Sequence, residues 1–139
     1  MIDSFKGKYF FLSNFYTCNI IIDEIEYTNT ESAFQSMKTK NINIRKSFSS
    51  LDPSRAKFKG RRVQLREDWE NIKDDVMYKV VKSKFSQNED LKLRLLDTKD
   101  EKLIEGNDWN DTYWGVCNGK GRNMLGKILM KVRDELRKI

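Results

Sequence analysis

The sequence predicts a mainly α-helical, α+β domain with a small β-sheet at its N-terminal end. Three observations carry that expectation. Aromatic and β-branched residues crowd two short runs before Thr28, a composition that suits strands. Apolar residues recur at helical spacing through most of the chain after Thr28. The 139 residues hold a single proline, Pro53, with no repeat, low-complexity segment or Gly/Ser/Pro-rich linker, so one domain spanning residues 1–139 is expected.

The elements run in order along the chain. Lys8–Leu12 (KYFFL) and Asn19–Tyr27 (NIIIDEIEY) read as strands, the second turning a hairpin at Asp23–Glu24 without the glycine of the favoured turns. Thr28–Lys38 (TNTESAFQSMK) opens a helix that runs to about Lys40. Thr28 and Glu31 have the spacing of a capping box, in which each side chain satisfies an orphan N–H. Ala33, Phe34 and Met37 supply the apolar side. Gln35 and Lys38 follow Glu31 at i+4 and i+7 on one polar face. Pro53–Gly60 is a short helix with Asp52 as cap, Pro53 at the first position and Gly60 as stop. In the long helix from about Glu67 to Phe85, Trp69, Ile72, Val76, Met77, Val80 and Phe85 lie close to one stripe. Leu91, Leu95 and Leu96 face inward in the next helix. Glu101–Asn107 is a short extended piece. The terminal helix buries Leu125, Ile128, Leu129, Val132 and Leu136 and gathers cations toward its C-terminus, where its dipole favours them.

Composition narrows the chemistry. There is no histidine, so a Ser–His–Asp triad, a Cys–His pair and an HExxH zinc site are all excluded. Acid–base work falls to Asp, Glu, Lys, Tyr or Cys. The two cysteines, Cys18 and Cys117, cannot alone hold zinc and are expected as reduced thiols. No apolar run is long enough to span a bilayer, and the N-terminus lacks the apolar core of a signal peptide. A cytoplasmic, non-membrane protein is expected. The net charge of +6 favours anionic partners such as nucleotides or nucleic acid.

Three stretches are more polar than packing demands. For Glu31, with Gln35 and Lys38, the cap by itself is a complete local explanation. Arg55–Arg62 (RAKFKGRR) offers phosphate contacts through Lys57 and Arg61; from charge alone a solvated basic helix end is the preferred reading. Asn107–Asn123 gathers Trp109, Tyr113, Trp114, Asp111 and Gly-Lys-Gly before a helix. It suits either a pocket that stacks a planar or sugar group, or a loop pinned by its tryptophans. Its glycines could offer N–H groups to a phosphate at the helix N-terminus.

Taken in order, FLSNFY (Phe11–Tyr16), YTNTESAFQSMK (Tyr27–Lys38), DPSRAKFKGRR (Asp52–Arg62), LREDW (Leu65–Trp69), KFSQNEDLKLRLLDT (Lys84–Thr98), LIEGN (Leu103–Asn107), DTYWG (Asp111–Gly115) and GRNMLGKILMKVR (Gly121–Arg133) resemble the NADAR, or YbiA-like, family across nearly the whole chain. The resemblance implies a compact helical YbiA-like fold and hydrolysis of a ribose C1–N bond. It implies two substrate groups: ADP-ribose on guanine, and riboflavin-pathway ribosylaminopyrimidine phosphates. The first is the expectation, as a nucleoside or nucleic-acid substrate, with a paired ADP-ribosyltransferase as a further partner. Two positions depart from the family pattern: Glu24 stands where glycine is frequent, and Ser32 where a histidine or aromatic residue usually follows the motif glutamate.

Within that expectation, positive charge develops on the ribose as the base departs. Glu31 stabilises it and activates water. Asp111 orients the ribose hydroxyls or assists proton transfer. Trp69 and Trp114 form stacking walls. Lys57, Arg61 and Lys120 contact phosphate, and Asn14, Gln35 and Gly115 complete the substrate-binding set. Lys57 has a second role available, as an amine that attacks C1 and forms a Schiff base. Neither route calls on a metal or cofactor. The rival class is a non-catalytic ADP-ribose or nucleic-acid binding module, which would not need Glu31.

Overall fold

The structure is a computed structural model that describes residues 1–139. The chain divides into two compact units, Asn14–Asn88 and Met1–Ser13 with Glu89–Ile139. The mainly helical expectation with a small sheet holds.

In the Asn14–Asn88 unit, β1 (Thr17–Ile22) and β2 (Ile25–Asn29) form an antiparallel hairpin with Ile22 opposite Ile25. Ile20, Ile22, Ile25 and Tyr27 are buried while their neighbours are exposed, the period-two pattern of a sheet with one covered face. The turn forms at Asp23–Glu24 as predicted. Both residues adopt positive φ, +50° and +70°, the conformation that normally selects glycine or asparagine. Glu24 therefore holds a left-handed backbone without glycine's freedom. α4 (Trp69–Gln87) packs against β1, burying Val76, Met77, Val80, Val81 and Phe85. Its last residue caps the exposed strand edge: the Gln87 amide accepts from Ile21 N–H at 2.7 Å and donates to Ile21 C=O at 2.9 Å.

Three shorter helices complete this unit. α1 (Thr30–Ser36) follows β2 directly and stops four residues short of the expected end, because Met37 already forms its C-cap. α2 (Ile42–Lys46), capped by Asn41, is an element the apolar periodicity did not announce. α3 (Pro53–Gly60) has the expected cap: the Asp52 carboxylate accepts from Arg55 N–H at 2.9 Å, with Pro53 at the helix start.

In the other unit, Gly7–Leu12 is a 3₁₀ helix and not the expected strand. Gly7 enters it at φ +57°, and i→i+3 bonds such as Ser13 N–H to Phe10 C=O hold it. Phe11 and Leu12 are buried side by side, where a half-covered strand would alternate. α5 (Glu89–Leu96) buries Leu91 and Leu95, and α6 (Met124–Arg137) buries Leu125, Ile128, Leu129, Val132 and Leu136. Leu96, expected inward, is only half-buried. β3 (Gly106–Asn107) and β4 (Val116–Cys117) pair in parallel, and Ile2 bridges Leu103. Neither cysteine forms a disulfide. No helix is long and apolar enough to cross a membrane.

Candidate active site

All seven residues of α1 are buried, and five of them are polar. Buried polar groups need partners, and most of these find them locally. Ser36 Oγ lies 2.9 Å from the Tyr27 hydroxyl, and Ser32 Oγ donates to Asn29 C=O at 3.2 Å. Ser32 is fully buried, so it does not form the rim of a pocket.

Glu31 is not a cap. Asn29 caps α1, accepting from Ser32 N–H at 2.8 Å, and Thr28 belongs to β2. Helix entry is one residue later than the capping-box reading requires, which moves Glu31 to the second helical position. Its N–H donates to Asn14 C=O at 3.0 Å, fixing the start of the helix. Its Oε1 accepts from Gln35 Nε2 at 2.8 Å, one turn on. The carboxylate is 8% exposed, near the positive end of the α1 dipole.

Two features of Gln35 set it apart. Its Oε1 is buried and has no hydrogen-bond partner. It also lies where a β-carbon on Gly60 would sit, 1.9 Å away. Gly60 therefore does more than end α3: its missing side chain lets α3 close onto the Glu31–Gln35 face. Lys38 joins the same group, donating to Gly60 C=O at 3.3 Å. Burial pushes the Lys38 amine below its ordinary pKa; Glu31 acts against that, and Arg61 adds to it. Glu31 and Arg61 thus both act on the Lys38 amine, in opposite directions.

The other predicted residues of this unit take varied places. Lys57 is half-buried on α3 and Arg61 is exposed at its C-cap. The Asn14 amide donates to Met77 Sδ at 3.6 Å. Trp69 is 5% exposed, with its ring 5.3 Å from that of Phe34, so it joins α4 to α1 in the core. That burial leaves little ring face for a ligand, contrary to its expected role as a stacking wall.

In the second unit, Asp111 organises a loop. Its Oδ1 accepts from Tyr113 N–H at 3.1 Å and Trp114 N–H at 2.9 Å. Asn107 Oδ1 accepts from Asp111 N–H, and Asn107 Nδ2 donates to Asp111 C=O. The carbonyls of Thr112, Tyr113, Trp114 and Gly115 then accept from Arg122, Met124, Leu125 and Asn123 N–H groups. These bonds occupy the Arg122, Asn123, Met124 and Leu125 N–H groups at the start of α6. Gly115 is needed for close approach: a β-carbon would lie 2.0 Å from Glu105 Oε2. Lys120 is exposed in a turn whose N–H donates to Cys117 C=O at 3.0 Å. Trp114 is half-buried, edge-on to Tyr113 at 4.8 Å.

Sequence reasoning assigned no role to Lys38, although its i+7 spacing from Glu31 was visible. It also missed the close approach at Gly60, for which a glycine inside a helical, otherwise basic segment was the signal.

The NADAR domain family model matches residues 3–137. N-glycosidase YbiA from Shigella sonnei is 38% identical over 128 residues, covering 89% of this chain and 79% of that protein. A riboflavin biosynthesis protein from Vibrio vulnificus is 36% identical over 130 residues, covering 91% of this chain and 35% of that protein. The solved NMR structure of YbiA from Escherichia coli superposes with a TM-score of 0.86 at 34% identity, covering 99% of this chain and 88% of that one.

Proposed function

The chain belongs to the NADAR family, and from that premise we propose that it removes ADP-ribose from guanine in a nucleoside or in nucleic acid. The coarser activity is that of an N-glycosidase, the name its YbiA relatives carry. The observation that supports a catalytic reading is Glu31: a nearly buried residue whose carboxylate is held by Gln35 and acts on the Lys38 amine. As the C1–N bond breaks, Glu31 stabilises the positive charge on the ribose and activates water. Gln35 keeps the carboxylate oriented. The net charge of +6 favours a diphosphate or a nucleic-acid chain over a single ribose phosphate.

The lowered pKa of Lys38 supports a second, covalent route. Its neutral amine attacks C1 as the C1–N bond breaks, and the base leaves with a proton. Ring opening gives a Schiff base, which water hydrolyses to release the sugar and restore the amine. Lys38 joins Lys57 as a candidate amine for this role, because it is packed against Gly60 C=O and burial lowers its pKa. Borohydride added during turnover traps Lys38 if this route operates; rapid turnover without an adduct refutes it.

Substrate choice is tested by mass spectrometry of products from ADP-ribosylated guanine DNA and from a ribosylaminopyrimidine phosphate. Release of ADP-ribose with restoration of guanine is the expected result. Fast cleavage of the pyrimidine compound with intact ADP-ribosylated DNA assigns the chain to the chemistry suggested by its riboflavin-named relatives.

A further inference from the structure

The positive charge of this chain is concentrated. Lys38–Arg66 contains ten Lys and Arg residues and one acidic residue, Asp52, for a net +9 in a chain of net +6. The remaining residues therefore carry −3. Several of the ten are neutralised: Arg45 by Asp23, Arg55 by Asp52 and Arg66 by Asp68. Lys59 and Arg62 are not. Lys59 Nζ donates to the neutral Ser47 hydroxyl and lies 5.1 Å from the Phe48 ring centre; Arg62 lies 4.2 Å from that of Phe58.

These two cations line a groove of about 540 Å³ together with Asn41, Asn43, Ser47 and Gln64 and the apolar Ile44 and Val63. Cations without carboxylates, among amide and hydroxyl groups, suit phosphate oxygens. Beside them the Phe58 ring is 57% exposed and backed by the Arg62 guanidinium, a pairing on which a nucleobase can stack. α3 connects this groove to the candidate active site, because Gly60 packs on Gln35 between Lys59 and Arg61.

We propose that the groove lined by α2 and the end of α3 holds the phosphodiester chain of a single-stranded nucleic acid, with Lys59 and Arg62 on phosphates and Phe58 under a base. A single strand is specified because an exposed aromatic platform takes unstacked bases, and because an enzyme acting on a base needs it out of the duplex. This deepens the proposed function and rests on it for the link between strand binding and turnover.

The test uses the full chain and a fluorescein-labelled, unmodified 12-mer DNA strand, with anisotropy read across a salt series. Lys59→Gln/Arg62→Gln weakens binding about tenfold or more. It also lowers the magnitude of the log–log salt slope by about 1.4, the loss of two single-strand phosphate contacts. Phe58→Ala weakens binding about tenfold and leaves that slope unchanged. In turnover, the double variant lowers kcat/KM for an ADP-ribosylated oligonucleotide about tenfold more than for ADP-ribosylated guanosine. An unchanged salt slope overturns the proposal, as does the same slope change on labelled polyglutamate or tighter binding of a duplex. The two readings fail separately. If the wild type cleaves neither substrate while the slope changes as stated, the substrate reading fails and the groove stands. If it cleaves both and the slope does not move, the groove fails and the substrate reading stands.

Discussion

The α1–α3 face and the Asp111–Asn123 loop are the two polar regions that the sequence singles out, and they use their polar groups differently. In the loop, Asp111 Oδ1, Asn107 and four consecutive carbonyls are all engaged in holding the chain against the start of α6. On α1, the Glu31 carboxylate and the Gln35 amide meet each other, and Gln35 Oε1 is left buried without a partner. An unmade buried hydrogen bond costs about 1–3 kcal/mol. Polar residues that complete backbone bonding describe architecture.

Breaking the α1–α3 face is expected to give the largest stability effect. Gly60→Ala places a methyl group on Gln35 Oε1, displaces the amide from Glu31 and overpacks the helix contact. The expected cost is about 1–3 kcal/mol in urea unfolding, with at least a tenfold loss of turnover in the fraction that folds. Wild-type turnover in Gly60→Ala would show that the Gln35–Glu31 bond is not used.

Lys84 sharpens the comparison from the side of cost. It is fully buried on α4, and burial pushes its amine down to about 8 from 10.5. Below pH 8 it is charged in both the folded and unfolded states, so the burial cost is fully present. Between pH 8 and 10.5 the unfolded chain holds the extra proton, and stability rises with pH. Lys84→Met should gain about 1–3 kcal/mol at pH 7 and flatten that rise, as read by urea unfolding at pH 7 and 9.5. A loss of stability at pH 7 would show that contacts of the amine outweigh its desolvation.

The smallest effect is expected at the hairpin. Glu24 stands at φ +70°, and Glu24→Gly relieves a left-handed residue at the cost of a more flexible unfolded chain. A gain of about 0.5–1 kcal/mol in Tm-derived stability is expected, with no change in turnover. This locates the substitution in the architectural class, far from the behaviour of α1.

Much of the fold was legible because its signals were local. Asp52-Pro53 announced α3, and the stripes through Val76–Val80 and Leu125–Leu136 announced α4 and α6. The misread elements depended on partners elsewhere. Lys8–Leu12 has strand composition but takes up 3₁₀ bonding after Gly7, and β2 runs through Asn29, which pairs with Thr17 of β1, so α1 starts a residue later than the capping box requires. The site was legible in part. Glu31, Gln35 and Lys38 shared a visible face, and the Asp111 bonds to Tyr113 and Trp114 N–H are local as well, whereas the burial of Trp69 against Phe34 depends on a tertiary contact that residue types alone do not encode.

Glu31 and Asp111 are the two carboxylates that set the two regions apart. Single-turnover rates of Glu31→Gln and Asp111→Asn on ADP-ribosylated guanine DNA, measured beside substrate affinity, test that difference directly. Glu31→Gln should lose about 100-fold or more in rate while retaining binding. Asp111→Asn should stay within about tenfold of wild type, because the asparagine Oδ1 still accepts the two N–H bonds of the loop. A near-normal rate in Glu31→Gln, with turnover abolished in Asp111→Asn, would contradict the account.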